Sequence, residues 1–305
     1  LENNVLQIRF SSGKTGGIFS LAAALIVLTC ASAIAGPLEE GGKAATNGDY
    51  AAAAKIWKPL ADSGDARAQS NLGVLYAGGL GVEKNLSQAS HYYHLAAEQG
   101  LARAQFNLGD CYFNGTCEKK NPKLAIPWFI KASEQGDVFA QNNLAVAYML
   151  GEGVEHDDVK AVGWLKQAAL SGHAASQFML ARQYEDGIGI EKNLSEAARL
   201  HHLAAEQGLP IAQLAYAFAL SDGKGISQDD VQARVWYQRA AEGGIPDAAF
   251  FLGIMYYEGK GGPVDANQAH DWLKRAALGG HADAQKAMVD LWQEHYPENA
   301  QAPRP

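Results

Sequence analysis

Residues 65–100 read DARAQSNLGVLYAGGLGVEKNLSQASHYYHLAAEQG, and variants of this stretch follow one another down the chain. It lies between Gly64 and Gly100, and glycine returns at 136, 172, 208, 244 and 280, every step 36 residues long with no insertion or deletion. Six complete repeats therefore cover 65–280, or 216 of the 305 residues. A fixed period of this length marks an array of stacked supersecondary units. Position +21, counted from the leading glycine, is Asn85, Asn121, Asp157, Asn193, Asp229 or Asp265. These residue types cap a helix by accepting from its free N–H groups. Pro122 follows Asn121 at a first helical position, where proline is tolerated. The anchoring glycine closes that helix as a left-handed residue, and Pro210 and Pro246 at +2 mark the start of the next. Each repeat is expected to be an antiparallel helix pair, +2 to +14 and +22 to +34, with glycines at +15 and +17 supplying positive φ in the turn.

The remaining columns describe two packed faces. In the first helix, +4 is alanine except Ser176, +5 is glutamine except Ala249, and +8 carries Leu72, Leu108, Leu144, Leu180 and Leu252. In the second helix, +25 and +32 are always alanine, and Trp128, Trp164, Trp236 and Trp272 at +28 fill gaps beside them. No single pair buries both faces, so the array stabilises by stacking. The expected fold is an all-α, right-handed α/α solenoid of about fourteen helices over 47–296, with flanking helices near 47–62 and 282–294. Residues 36–46 read as a linker and 297–305 as a disordered tail. Pro59 and Pro127 fall inside helices and are expected to bend them or break a backbone bond.

Composition agrees with closely packed helices. Alanine occurs 54 times and glycine 33 times, so 48% of residues are hydrophobic although mean hydropathy is −0.18. Charged residues at 19% and aromatics at 9% argue against disorder. A net charge of −8 argues against a phosphate-binding surface and so against a nucleic-acid partner. Residues 1–35 read as a secretory signal peptide: Arg9 and Lys14 precede an apolar run from Ile18 to Ile34, and Ala33-Ile34-Ala35 is an A-x-A cleavage site. An uncleaved anchor and a lipidated Cys30 are the alternatives. After cleavage the chain keeps 23 basic and 32 acidic residues, a net charge of −9, and no stretch suited to membrane insertion. The expected location is periplasmic or secreted.

Strings such as Ala68-Gln69-Ser70-Asn71-Leu72-Gly73 and Trp272-Leu273-Lys274-Arg275-Ala276-Ala277 resemble the Sel-one-like repeat family, relatives of tetratricopeptide repeats. The resemblance covers the six repeats directly. It implies an α-solenoid that scaffolds or regulates other proteins, and its bacterial members are often exported. Exported relatives include negative regulators of exopolysaccharide synthesis, so an envelope sensor or assembly is the expected object of regulation. Some cysteine-rich relatives carry a β-lactamase label, which makes an envelope hydrolase the competing reading.

Candidate binding residues follow from the columns. Asn71, Asn107 and Asn143 occupy +7 in three consecutive repeats, with Arg67 and Arg103 one turn away at +3. If the first helices line a concave wall, as in tetratricopeptide arrays, these amides form a ladder able to donate to and accept from an extended partner segment. The bland alternative is that they bond to a neighbouring helix and fix repeat geometry. From the fourth repeat the column becomes Met179, Ala215 and Phe251, with Phe178, Phe218 and Phe250 nearby, so an apolar half is expected to join the amide half. Cys117 occupies the glycine column at +17, six residues from Cys111. An oxidising compartment makes a local disulfide the favoured reading, two buried thiols the other.

Catalytic signals are weak. His91 and His94 share one helix and His201 and His202 are adjacent, but no cysteine or carboxylate repeats beside them to complete a metal site. Ser11-Ser12-Gly13-Lys14 and Lys14-Thr15-Gly16 fit β-lactamase motifs, yet they overlap within the leader. The glycine pairs follow helices and not strands, so they are no phosphate loop. The expectation is a non-catalytic protein without cofactor or metal, whose partner is another protein.

Overall fold

The computed structural model describes residues 36–295. The leader, Cys30 and the tail from residue 296 lie outside the described residues. Fifteen helices and no strand are found among them. They are α1 Pro37–Thr46, α2 Tyr50–Asp62, α3 Ala66–Gly78, α4 Leu86–Glu98, α5 Ala102–Asn114, α6 Pro122–Glu134, α7 Val138–Leu150 and α8 Asp158–Leu170. The series continues with α9 Ala174–Asp186, α10 Leu194–Glu206, α11 Pro210–Asp222, α12 Asp230–Glu242, α13 Pro246–Glu258, α14 Ala266–Leu278 and α15 Ala284–His295. From α3 to α14 every helix has the span that the columns predict. The helices form two compact units, one running to Ala140 with Glu152–Val154 added, the other comprising Gln141–Gly151 and the chain from Glu155. Inside each unit consecutive helices pack on one another, an α-solenoid of stacked pairs. No helix of the described residues is long and apolar enough to cross a membrane.

The caps explain the regularity. Asn85, Asp157, Asn193, Asp229 and Asp265 each accept from the N–H three residues on, at 2.9–3.0 Å. Asn121 makes no such side-chain bond; Pro122, with its fixed φ, already opens α6. In every repeat the N–H at +21 also returns to the carbonyl at +12, as Asn85 does to Tyr76 at 2.9 Å and Asp229 to Leu220 at 3.0 Å, and this closes the turn. The core alternates large and small side chains. The alanines at +25 and +32 are buried throughout, and Leu72, Leu108, Leu144 and Leu252 are at most 1% exposed. Gly109 shows why small residues are needed: a Cβ there would lie 2.7 Å from the fully buried Phe129 ring.

One expectation needs correction. Residues 36–46 are not a linker: α1 fills them, and the chain turns at 47–49 before α2. The physical cause is Trp57 of α2, whose indole Nε1 donates to the Leu38 carbonyl at 3.1 Å and whose ring would meet a Cβ on Gly41 at 2.3 Å. Glycine at 41 thus lets α1 lie against a buried indole. Pro59 and Pro127 sit inside helices that continue past them, and each, lacking an N–H, breaks one backbone bond as expected. Both are on exposed faces, where the carbonyl that loses its N–H partner meets water.

Candidate partner-binding surfaces

In the first unit, the first helices α3 and α5 set the +3 and +7 residues one repeat apart. Arg67 is exposed and Asn71 half-buried. Asn107 is half-buried, and its Nδ2 is enclosed without any hydrogen-bond partner. One turn on, Asp110 accepts from Asn114 Nδ2 at 2.7 Å, and burial raises its carboxyl above the usual range. Arg103 is already engaged. Its Nε lies 3.4 Å from Asp137 Oδ2, and its guanidinium stands 4.7 Å over the Phe139 ring. Asp137 in turn accepts from the N–H groups of Phe139 and Ala140 at the start of α7. Burial pushes that carboxyl up, opposed by Arg103 and the two amides. Arg103 therefore braces the next helix, while Arg67 remains open to solvent.

In the second unit the +7 column changes character. Asn143 accepts from Asn142 Nδ2 at 3.4 Å, and Asn142 Oδ1 accepts from Ser176 Oγ at 2.8 Å. Met179, Ala215 and Phe251 follow on α9, α11 and α13, each half-buried. The Phe218 ring is 4.8 Å from Phe251, and Phe250 stacks on His281 at 4.1 Å. Phe178 is core, only 8% exposed.

Cys111, buried at the end of α5, is bonded to Cys117 in the following loop, with Cα atoms 5.0 Å apart. Where +17 is glycine, its Cα presses on the preceding repeat: a Cβ on Gly81, Gly153, Gly189, Gly225 or Gly261 would stand 2.0–2.6 Å from backbone at the start of the earlier helix. At 117 a side chain is present, and the loop is tied to α4 instead by Ser90 Oγ donating to Glu118.

The glutamine column had a readable signal that the sequence reading left without a role. Gln69, Gln105, Gln177 and Gln213 donate to the carbonyl eight residues back, at 3.0–3.3 Å. Gln99, Gln135 and Gln207, at +35, donate to the Oε1 of Gln69, Gln105 and Gln177 at 2.7–2.8 Å. The buried +5 amides, three of them held by an exposed glutamine at +35, are struts between successive helices. The 30-residue spacing within a repeat was visible, but the bond from +5 to the carbonyl eight residues back, across the repeat boundary, has no local mark.

The histidines are dispersed among such contacts. His94 Nε2 is 3.1 Å from Tyr112 Oη, and the His202 ring lies 4.6 Å from that of Tyr216, tilted by 37°. His201 is fully buried, its Nε2 3.3 Å from Glu185. Among the described residues no group of three or more His, Cys, Asp or Glu is placed to hold a metal. His173 Nδ1 lies 2.8 Å from Ser176 Oγ, a pairing that superficially suggests a nucleophile. Ser176 is fully buried and its hydroxyl donates to Asn142, so the pair caps α9.

The Sel1 repeat profile matches residues 66–101, 102–137, 138–173, 174–209, 210–245 and 246–281. The chain belongs to the Sel1 repeat family. Its repeats begin at the first residue of each first helix, one residue after the division made from the glycines. Among solved structures, this Sel1 repeat protein is similar to a protective antigen present in uropathogenic Escherichia coli strains and displaying an SLR fold. The identity is 32% and the TM-score 0.77, over 85% of this chain and 56% of that one. The chain thus spans little more than half the length of that antigen. A Sel1 repeat protein from Oxalobacter formigenes is also 32% identical, with a TM-score of 0.70 over 79% of this chain and 96% of that one. No curated protein matches. Sel1 repeat proteins are generally protein–protein interaction scaffolds.

Proposed function

We propose that this Sel1 repeat protein is an exported, non-catalytic scaffold that binds a segment of another protein on its first-helix faces and so regulates an envelope sensor or assembly. The observation that carries the reading is Asn107. Its amide donor is enclosed and unpaired on a half-buried face, with Asn71 one repeat before it. A buried donor without a partner is unfavourable by about 1–3 kcal/mol, and turning the half-buried Asn107 side chain outward to a carbonyl of a bound segment relieves it. Arg67 beside Asn71 adds a cation for a carboxylate. Export is supported by the leader pattern of 1–35 and by a disulfide suited to an oxidising compartment.

The test is to crosslink the chain in envelope fractions, identify the captured protein, and reconstitute the pair from purified components. Asn71→Ala with Asn107→Ala is expected to weaken the reconstituted complex at least tenfold at unchanged stability. Unchanged affinity would remove the amides from the site, and a chain found only in the cytoplasm would remove the export.

A further inference from the structure

The +7 column, an amide through Asn143, is apolar from the repeat at 174–209 onward. Met179, Ala215 and Phe251 at +7 are joined at +10 by Phe218 and Ile254, all half-buried. Residues three apart share a helix face, and the 4.8 Å approach of Phe218 to Phe251 carries the strip from one repeat to the next. One turn farther, at +14, stand Asp186, Asp222 and Glu258, with side chains 50%, 45% and 41% exposed. The repeats at 210–245 and 246–281 therefore border an apolar strip with a carboxylate, whereas at 174–209 Arg182 takes the +10 place and lies 3.9 Å from Asp186. Lys224 and Lys260 lie 2.7 and 2.6 Å from Asp222 and Glu258, but both lysines are more than half exposed. Surface pairs of this kind contribute little and exchange with other cations. The described part of this unit holds 12 basic and 19 acidic residues, a net charge of −7, against 10 and 12, a net charge of −2, in the other. Its long-range field thus attracts cations.

We infer that this face of the second unit binds a basic amphipathic segment of a partner protein. The segment's apolar side chains lie on Met179, Phe218, Phe251 and Ile254, and its lysines or arginines meet the +14 carboxylates. This rests on the scaffold reading and names the chemistry of the partner.

The probe is a synthetic 18-residue amphipathic helix of lysine and leucine, titrated by fluorescence anisotropy against the full chain. A glutamate–leucine peptide of the same pattern and a lysine–serine peptide serve as controls. The lysine–leucine helix is expected to bind at least tenfold more tightly than either. Asp186→Asn, Asp222→Asn and Glu258→Gln together, which leave the apolar packing untouched, should weaken it at least tenfold and flatten its salt dependence. Asn71→Ala with Asn107→Ala, in the other unit, should leave it unchanged. Equal binding of the lysine–serine peptide, equal binding of the glutamate–leucine peptide, or indifference to the triple variant would each overturn the inference. The two readings fail separately. A reconstituted partner that ignores the triple variant sinks this inference and spares the scaffold. Failure to capture any partner sinks the scaffold reading even where the probe binds.

Discussion

The repeats at 102–137 and 210–245 share one plan and part company at +17, +10 and +21. At +17 the later repeat has Gly225, with φ of 72°, whose Cβ would stand 2.0 Å from the Leu194 carbonyl oxygen at the start of α10. The earlier repeat has Cys117, bonded to Cys111, and its loop reaches α4 through Glu118 and Ser90. Each junction between successive repeats is closed, one by the absence of a side chain, the other by a covalent bond and a hydrogen bond. The turn itself does not depend on which is used. Asn121 N–H reaches the Tyr112 carbonyl at 2.7 Å and Asp229 N–H the Leu220 carbonyl at 3.0 Å.

The largest effect should come from breaking the glycine junction. Gly225→Ala forces both a left-handed alanine and a backbone clash, and should destabilise the chain by roughly 3–5 kcal/mol. Gly223→Ala in the same loop is the control. Its φ is 66°, but the nearest atoms to a Cβ are 3.5 Å away, so only the conformational term of about 1 kcal/mol applies. Urea unfolding of both variants reads the difference, and equal losses would show that close approach to α10 contributes nothing.

The covalent junction comes next. Closing so short a loop restricts the unfolded chain by about 2 kcal/mol, and Cys111→Ala with Cys117→Ala should lose that amount under non-reducing conditions. Cys111→Ala with Cys117→Gly should recover part of it, because glycine permits the close approach made at 225. Thiol titration of the native chain should find no free thiol at these positions, and two after reduction.

How far the sequence could be read depends on where each partner lies. Helix spans were legible because caps, turn glycines and small core residues act within one period. The α1 helix was not, since its glycines at 41 and 42 fall outside the period and its stability comes from Trp57, sixteen residues beyond Gly41. Of the candidate site, the +7 amides were legible as a column. Their different fates were not: Asn107 Nδ2 is unpaired, whereas Asn143 accepts from its neighbour Asn142. The engagement of Arg103 was hidden for the same reason, because Asp137 belongs to the turn before α7.

At +10 the comparison concerns charge. Asp110 occupies the column that Phe218 fills in the later repeat, and burial raises its carboxyl, with the Asn114 amide pulling the other way. A folded-state pKa above the unfolded value means that the folded state binds the proton more tightly. Stability is therefore lost as pH rises from the unfolded carboxyl range through the raised value, and the penalty is complete above it. Asp110→Asn keeps an acceptor for Asn114 and removes the charge. It should stabilise the chain by about 1 kcal/mol at pH 7, and the gain should shrink toward pH 3.5 as the wild-type carboxyl is protonated. A gain independent of pH would assign the effect to packing.

The smallest effects separate the two caps at +21. Asp229 Oδ1 accepts from the Gln232 N–H at 2.9 Å, so Asp229→Ala leaves that donor to water and should destabilise the chain by about 1 kcal/mol. Asn121 makes no side-chain cap bond. Its backbone carbonyl already takes the Leu124 N–H at 3.0 Å, and Pro122 sets the first helical φ without an N–H to satisfy. Asn121→Ala should therefore change stability by less than about 0.5 kcal/mol. Asn121→Ala with Pro122→Ala removes the pre-set φ, and in that background a side-chain cap gains value. Restoring asparagine at 121 should then stabilise α6 by more than it does beside proline. Thermal unfolding of the four combinations measures that coupling, and additive effects would show that proline and cap act independently.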